Sequence, residues 1–516
     1  MAQQQKTGFF SRTFNRMLNG VEWLGNKLPH PVTLFAILAV LVIIASAIFS
    51  ALDVTVDDPT QPGETLQVEN LLSAEGIQYL FTSMVDNFIN FAPLGVVLAT
   101  MIGIGVAERS GLIGAALRGI VTSVPKRLVT AALIFAGVLS SMAVDAGYVI
   151  LPPLGALIFL SLGRHPLAGI AAAFAGVSAG FGANIFVTSL DPLLGSLTME
   201  AAATVDPEYA SGLNYLMNYY IMVASVFLLT IVGTFVTEKI VEPRLGTFKG
   251  KAEAGEEITY LSKVEKKGLV YAALTIVGLI ALALLLVVPE WGPLRGDGDS
   301  PILNSPFMDS LVAILLFIFL IPGIVYGIVT KEIRNDKDAA KQMSDTMASM
   351  GMFIVLAFTA GQFVAYFEET NIGLVLGAFG AELLESLQVG GIPLILGFML
   401  VCAVINLFVG SASAKWAIMA PVFVPLMMDF GFSPATTQAA YRIADSTTNI
   451  ITPTMTYFAM VIAFAQKYDK KIGIGTLVSM MLPYTIFFSI TWTLMFIIWI
   501  LLGIDLGPGA PIYYEP

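Results

Sequence analysis

Residues 406–457 read NLFVGSASAKWAIMAPVFVPLMMDFGFSPATTQAAYRIADSTTNIITPTMTY. Long apolar runs flank this stretch, yet it holds Lys415, Arg442, Asp445 and the polar cluster Ser446-Thr447-Thr448-Asn449. An ionisable side chain at membrane depth costs about 2.5–3.5 kcal/mol on insertion scales, so such groups are expected to pair, face a cavity or bind something. Arg442 and Asp445 are three apart, share one helical face and are placed to interact. Ser433-Pro434 has the form of a helix start, a hydroxyl N-cap followed by proline at the first helical position. Gln438, Arg442 and Asp445 then fall along one side, until the hydroxyl and amide run and Pro453 predict a break over 446–453. Broken helices near the bilayer midplane are where secondary transporters hold substrates and ions. The stretch therefore reads as a transport site.

Composition agrees with a membrane setting. Of 516 residues, 56% are hydrophobic and only 12% charged, with mean hydropathy +0.82; a soluble domain carries about 25% charged residues. The chain reads as an all-α polytopic membrane protein. Its net charge of −11 comes from loops and points to no nucleic-acid partner. The single cysteine, Cys402, lies in an apolar run and reads as a packed thiol, which excludes a disulfide within the chain. His30 and His165 each precede a proline near a span boundary and read as interfacial, not as metal ligands. No GxxxxGK[ST] loop is present, so energy is expected from an ion gradient or from the substrate's own gradient. Residues 1–30 lack an apolar signal core. Phe9, Phe10, Phe14 and Met17 beside Lys6, Arg12 and Arg16 suggest an amphipathic helix on the cytoplasmic membrane surface.

A span needs about 20 apolar residues, and lysine and arginine mark the cytoplasmic side. Crossings are expected at 31–52, 80–107, 166–190, 215–238, 267–289, 309–330, 344–366, 434–466 and 473–503. Segments 128–163 and 391–430 carry kinks and begin and end on one side, the first at basic flanks and the second at acidic ones. They read as re-entrant hairpins, giving nine crossings plus two hairpins. The charged segment 241–266 separates a first half, 31–240, from a second, 267–505. Residues 53–78 and the segment with Asp191, Glu200, Asp206 and Glu208 read as external loops, 372–387 as a short amphipathic connector, and 506–516 as an external C-terminal tail.

The halves echo each other. At one offset of 268, Tyr148 matches Trp416, Pro153 matches Pro421, Gly163 matches Gly431 and Pro166 matches Pro434. After a slip of three, Asn184-Ile185 matches Asn449-Ile450. Each half reads as hairpin, proline, then a helix broken near an asparagine; GVSAGFGAN (176–184) is too glycine-rich for a helix interior. The charge pattern places the hairpins on opposite sides, the inverted topology that builds a midplane site from two broken helices.

Unwound carbonyls with hydroxyl and amide oxygens suit a hard cation, and freed helix ends add their dipoles. The candidate ion ligands, for sodium or a proton, are Asp445, Thr448 and Asn449 in the second half. In the first half they are Asp145 at the hairpin tip with Ser141 and Asn184, and Thr188 and Ser189 beside them. Arg442 suits a carboxylate or sulfonyl group, whose oxygens its planar fork binds in pairs, and Trp416 could stack on an aromatic ring. Against this stand plainer readings: Arg442 and Asp445 as a structural pair, Trp416 as packing. Two other classes compete: an intramembrane aspartyl protease using Asp145 and Asp445, and a passive channel. The first lacks a nucleophile–base pair, and the inverted hairpins disfavour the second.

The segments GSASAKWAIMAPVFVPLMM (410–428), YRIADSTTNIITPTMTYF (441–458) and AVDAGYVILPPLGALIF (143–159) resemble the p-aminobenzoyl-glutamate transporter (AbgT) family, over about residues 20–505. The divalent anion:sodium symporters look like more distant relatives. The resemblance implies a homodimer in the bacterial inner membrane, each subunit with nine spans, two hairpins, a scaffold part and a transport part. Family members are associated with uptake of p-aminobenzoyl-glutamate and with export of sulfonamide antimetabolites. Carried over by motif, the family's functional positions fall on Asp191, Ser413, Trp416, Pro434, Arg442, Asp445 and Pro453, with Asn406 a further addition. The resemblance implies a small aromatic acid or sulfonamide as substrate, no cofactor and no catalysis. The function expected is efflux driven by the proton motive force, and the alternative is sodium-coupled import of p-aminobenzoyl-glutamate or a dicarboxylate.

Overall fold

The long apolar runs become helices. The computed structural model describes residues 31–57, 65–142, 144–248, 260–296, 305–373, 375, 390–407, 409–452, 455 and 457–515. The N-terminal segment 1–30, most of the linker 241–266, most of the connector 372–387 and Pro453 lie outside the described residues. Within them the chain is helical apart from a small antiparallel pair, β1 (Thr55–Asp57) with β2 (Thr65–Gln67), and isolated bridges near the C-terminus.

The helices of the first half are α1 (Pro31–Ala51), α2 (Ala74–Thr82), α3 (Met84–Ile89), α4 (Ala92–Arg109) and α5 (Leu112–Thr122). They continue with α6 (Val129–Leu139), α7 (Val144–Ser161), α8 (Pro166–Phe174), α9 (Leu190–Ala203), α10 (Pro207–Gly212) and α11 (Tyr219–Val236). The second half has α12 (Lys263–Val287), α13 (Leu311–Thr330), α14 (Asp336–Ser349), α15 (Gly351–Glu369) and α16 (Gly391–Asn406). It ends with α17 (Ala412–Asp429), α18 (Pro434–Asn449), α19 (Phe458–Gln466) and α20 (Ile474–Leu502).

Among the described residues, seven helices are long and apolar enough to cross a membrane: Val32–Ala51, Met84–Arg109, Tyr219–Leu245, Lys263–Val287, Leu311–Thr330, Gly351–Glu369 and Ile474–Leu502. They overlay seven of the nine expected crossings. The remaining two, 166–190 and 434–466, are the segments that break. A further pair, Leu112–Thr122 and Lys126–Met142, is bent by 115°.

The repeat is visible in backbone geometry. After α7 the chain turns at Gly163 (φ 72°), His165 accepts the Leu167 N–H, and Pro166 opens α8. After α17 it turns at Gly431 (φ 77°), Ser433 accepts the Thr436 N–H, and Pro434 opens α18. A left-handed φ strains any residue with a Cβ, which is why glycine stands at both joints. At Gly155 a Cβ would lie 2.6 Å from the Gly169 carbonyl oxygen. Small residues thus let α7 and α8 approach closely, as membrane helices do.

Burial separates two environments. Only 11% of the Lys263–Val287 window is buried, and Val270, Leu274 and Val277 project outward as lipid-facing side chains do. Every residue of α18 is buried, although its sequence PATTQAAYRIADSTTN is largely polar. A polar helix is stable there only because its groups are satisfied one by one.

Several expectations are corrected. α18 stays helical through Asn449, and the break begins at Ile450 rather than Ser446. The Ser446 and Thr448 hydroxyls donate back to the Arg442 and Ala444 carbonyls at 2.7 and 2.8 Å, a bond compatible with a continuing helix. The expected external loop after Ser189 contains α9 and α10; Pro192 sits in the first turn of α9, where its missing N–H costs nothing. The expected crossing 344–366 starts at Gly351, after the separate helix α14. The C-terminal segment is no free tail: Ser433 and Thr436 donate hydroxyls to the Pro511 and Ile512 carbonyls, each at 2.6 Å. The backbone of 513–514 also bonds Gly431 and bridges Phe432, so this segment holds the start of α18.

Candidate functional site

The first break meets the body of α18. Gly182, in the irregular stretch between α8 and α9, donates its N–H to Ser446 Oγ at 2.8 Å, and its carbonyl accepts Arg442 Nη2 at 2.9 Å. A Cβ there would stand 2.6 Å from Ser446 Oγ and 3.0 Å from the Arg442 carbonyl oxygen, so only glycine fits this crossing. Arg442 Nη1 pairs with Asp191 Oδ1 at 2.7 Å. The other oxygen of Asp191 accepts the Thr188 N–H and hydroxyl at 2.7 and 3.0 Å. One carboxylate in the first turn of α9 thereby holds both Thr188, just before that helix, and Arg442 of α18. Arg442 and Asp445, placed on one helical face by their spacing, do not pair with each other.

Asp445 pairs instead with Lys415, from the first turn of α17, whose ammonium also donates to Asn406 Oδ1. The Asn406 amide reaches the Asp445 carbonyl (2.6 Å), Thr448 Oγ1 (2.8 Å) and Asn449 Oδ1 (2.9 Å). Asn406, Lys415, Asp445, Thr448 and Asn449 thus form one buried cluster joining α16, α17 and α18. Lys415 is the member that sequence reasoning did not select; its signal was a charge next to Trp416 in an apolar helix.

Trp416 is fully buried. Its indole stacks on Tyr441 (centroids 4.5 Å apart, 27°) and donates to Thr198 Oγ1 at 2.9 Å. Thr198 donates to Gln438 Oε1 at 2.5 Å, Gln438 to Asn218 Oδ1 at 2.8 Å, and Asn218 to the Ala435 carbonyl at 2.8 Å. This chain of bonds ties α9, α11, α17 and α18 together at the start of α18, which Pro434 opens. In the first half, Asn184 donates to Ser141 Oγ at 2.5 Å and accepts the Phe186 N–H at 3.0 Å. The side chain of Asp145 lies outside the described residues.

A cavity of about 310 Å³ opens beside these clusters. Ser141 and Tyr148 line it from the first hairpin segment, Ser411 and Ser413 from the second, and Phe181, Asn449 and Tyr457 from the two breaks. The Tyr148 and Tyr457 rings stack at 4.3 Å and 10°. No charged side chain among the described residues lines it. Of the expected site residues, Ser141, Ser189, Ser413 and Asn449 line this cavity, whereas Trp416, Arg442 and Asp445 do not. Tyr148, Phe181, Ser411 and Tyr457 were missed as site residues, although the repeat had aligned Tyr148 with Trp416.

The family model of AbgT transporters matches residues 16–514. The chain belongs to the AbgT family. A curated AbgT-type relative, the p-aminobenzoyl-glutamate transport protein of Escherichia coli (strain K12), is 38% identical over 494 residues, 96% of each chain. Two solved structures are similar over all of their own length. The Neisseria gonorrhoeae MtrF, described with a class of antimetabolite efflux pumps, has TM-score 0.89 and 46% identity over 96% of this chain. The Alcanivorax borkumensis YdaH transporter, described as having an unusual topology, has TM-score 0.87 and 44% identity over 93%. As an AbgT transporter with several apolar spans the chain is a multi-pass membrane protein and not an enzyme, which removes the protease reading.

Proposed function

We propose that this AbgT transporter moves p-aminobenzoyl-glutamate or sulfonamide antimetabolites out across the bacterial inner membrane, driven by the proton motive force. The observation that carries the reading is the cavity at the meeting of both hairpin segments and both breaks. Its volume falls in the roughly 300–1,000 Å³ range of small-molecule pockets. Stacked tyrosines offer an aromatic ring a partner, and Ser141, Ser411, Ser413 and Asn449 offer donors to carboxylate or sulfonyl oxygens. The names of the Escherichia coli and Neisseria gonorrhoeae relatives support this substrate class. Asp191, Pro434, Arg442, Asn406 and Asp445 act from behind the cavity, setting how the broken helices lie; Trp416 belongs to the same frame, and Pro453 to the second break. In this reading the two hairpins re-enter from opposite sides, the N-terminus is cytoplasmic, the C-terminus external, and the protein works as a homodimer.

A proton is favoured over sodium because the second-half oxygens expected to hold sodium are engaged: Thr448 and Asn449 by Asn406, Asp445 by Lys415. The test is transport of labelled p-aminobenzoyl-glutamate and of a sulfonamide in proteoliposomes under separately imposed proton and sodium gradients. Sulfonamide movement against a proton gradient alone supports the proposal. Accumulation that needs sodium reverses it in favour of the import reading, and movement of neither substrate refutes it.

A further inference from the structure

The start of α9 lines the substrate cavity, and its other end lines a second one of about 560 Å³. Asp86 and Asn87 of α3 and Glu368 and Glu369 of α15 wall this second cavity, and α9 contributes Glu200. No basic side chain among the described residues lines it. Glu200 is mostly buried, and its Oε2 is cut off from solvent with no hydrogen-bond partner among the described residues. An ionised Glu200 would have no donor or counter-charge on that oxygen and would face like charges, so desolvation and repulsion both favour the neutral acid. Burial first and the Glu368 charge second push its pKa up to about 8. Tyr79 completes the titratable groups of the wall. The cations on the other helices packed against α9 are engaged elsewhere: Arg442 of α18 by Asp191, Lys415 of α17 by Asp445, and Arg109, the last residue of α4, by Thr346. The remaining titratable groups of α4, α10, α17 and α18, namely Glu108, Glu208, Tyr209, Asp429 and Tyr441, bring no positive charge.

Geometry links this acid to the transport machinery. Leu190, Leu193, Leu197 and Glu200 recur every three or four residues and share one face of α9. Leu190 and Leu193 line the substrate cavity, Leu193 and Leu197 wall a small apolar gap with Phe35 and Phe91, and Phe91 continues into the acidic cavity. Leu193 and Glu200 are about 10 Å apart along the helix, at about 1.5 Å per residue, with that apolar seal between the two cavities. α9 also holds α17 and α18, through Thr198 on Trp416 and Asp191 on Arg442. The opposite wall is stitched together: Gln362 of α15 bonds the Asn87 side chain and the Met84 carbonyl of α3 at 3.1 and 2.8 Å. The charge on Glu200 thus sets how closely α9 lies on a fixed wall. We propose that Glu200 is a proton-binding site of the transport cycle: it holds a proton while α9 lies against the α3–α15 wall and exchanges it with the water of this cavity when they part. Its place in the cycle rests on the proton-driven reading above; its proton binding does not. In the orientation proposed there the cavity opens externally, where Asn371 of its wall bonds the Gln67 carbonyl of the loop 53–78.

The first test is melting of purified full-length protein in detergent against pH, without substrate. A raised pKa means that the folded state keeps a proton the unfolded chain has lost, so stability falls as pH rises from the ordinary carboxylate range to about 8. Wild type is expected to lose several degrees across that window, and Glu200→Gln, which mimics the neutral acid, to lose markedly less. Glu368→Gln removes a like charge and is expected to move the fall to lower pH, whereas Asp86→Asn, an exposed acid of the same cavity, leaves it in place. The second test is transport of labelled p-aminobenzoyl-glutamate and of a sulfonamide in proteoliposomes. The ratio of rates with and without an imposed pH gradient is expected to fall to near one in Glu200→Gln and to recover in part in Glu200→Asp, which can still bind a proton. Equal pH slopes of melting in wild type and Glu200→Gln, or equal gradient ratios, overturn the proposal. Where Glu200→Gln is not recovered, an unmoved fall in Glu368→Gln decides against it just the same. A wild type that ignores the pH gradient sinks the proton-driven reading itself, and the melting profile, which needs no substrate, then shows on its own whether Glu200 holds a proton.

Discussion

Replacing Asp191 with alanine strands the Arg442 guanidinium, which is 3% exposed, beside a carbonyl that satisfies only Nη2. The Thr188 N–H and hydroxyl lose their acceptor as well. Removing one partner of a buried ion pair costs about 3–5 kcal/mol, because the other charge stays buried without compensation. The reverse change, Arg442→Ala, strands Asp191 and the Gly182 carbonyl. Asp191 keeps 14% side-chain exposure, so its loss is expected at the lower end of that range. The double variant should cost clearly less than the sum, with a coupling of about 0.5–3 kcal/mol, as for residues in one network. Arg442→Lys keeps the charge, but a single ammonium cannot serve Asp191 and Gly182 as a fork does; its loss should fall between wild type and Arg442→Ala. The assay is denaturant unfolding in detergent micelles, with stabilities extrapolated linearly. Additivity within about 0.5 kcal/mol would refute the claim that this pair joins α9 to α18.

Three further outcomes follow from the geometry. Gly182→Ala forces a methyl against Ser446 Oγ and should cost about 1–3 kcal/mol, the usual penalty of overpacking; adding Ser446→Ala should restore part of it, read as melting temperature and transport rate together. Tyr457→Leu removes one ring of the cavity stack and should raise KM for an aromatic substrate several-fold while leaving melting unchanged, which initial-rate transport measures. The third concerns Asp206, in the connection between α9 and α10, whose carboxyl is held below its usual pKa first by the Tyr209 N–H and then by the Tyr514 hydroxyl. A lowered folded pKa means that this contact stabilises above the ordinary carboxylate range and is lost as pH falls through the folded value. Cleavage of the C-terminal segment by an acid-active protease should therefore accelerate on acidification, and Asp206→Asn should lack that pH dependence.

How much of this was legible depends on where each signal lies along the chain. The seven apolar spans were plain from long apolar runs, and the two joints at Gly163 and Gly431 from a repeated glycine and proline. The partners of Arg442 and Asp445 were not. Local spacing favours a pair three residues apart, whereas Asp191 lies 251 positions away and only the tertiary fold brings it close. α9 was hidden for a related reason: Asp191, Pro192 and Glu200 look like loop residues until one knows that Arg442 neutralises the aspartate and Thr188 hydrogen-bonds it. The break in α18 was read too early because hydroxyl clusters suggest unwinding, while Ser446 and Thr448 satisfy themselves against their own helix. Trp416 is an aromatic in a polar neighbourhood, and nothing in its spacing tells that Tyr441 and Thr198 occupy its face and its donor.

The clasp of residues 511–514 on the start of α18 also orders events in time. Everything it holds is translated before it, so the polar helix at the centre of the protein emerges with its first turn unfinished. While the final span is still being threaded, Ser433 and Thr436 have no carbonyls to bond. The segment that completes them follows α20 in the chain, so this core is finished only once every span before it has been made.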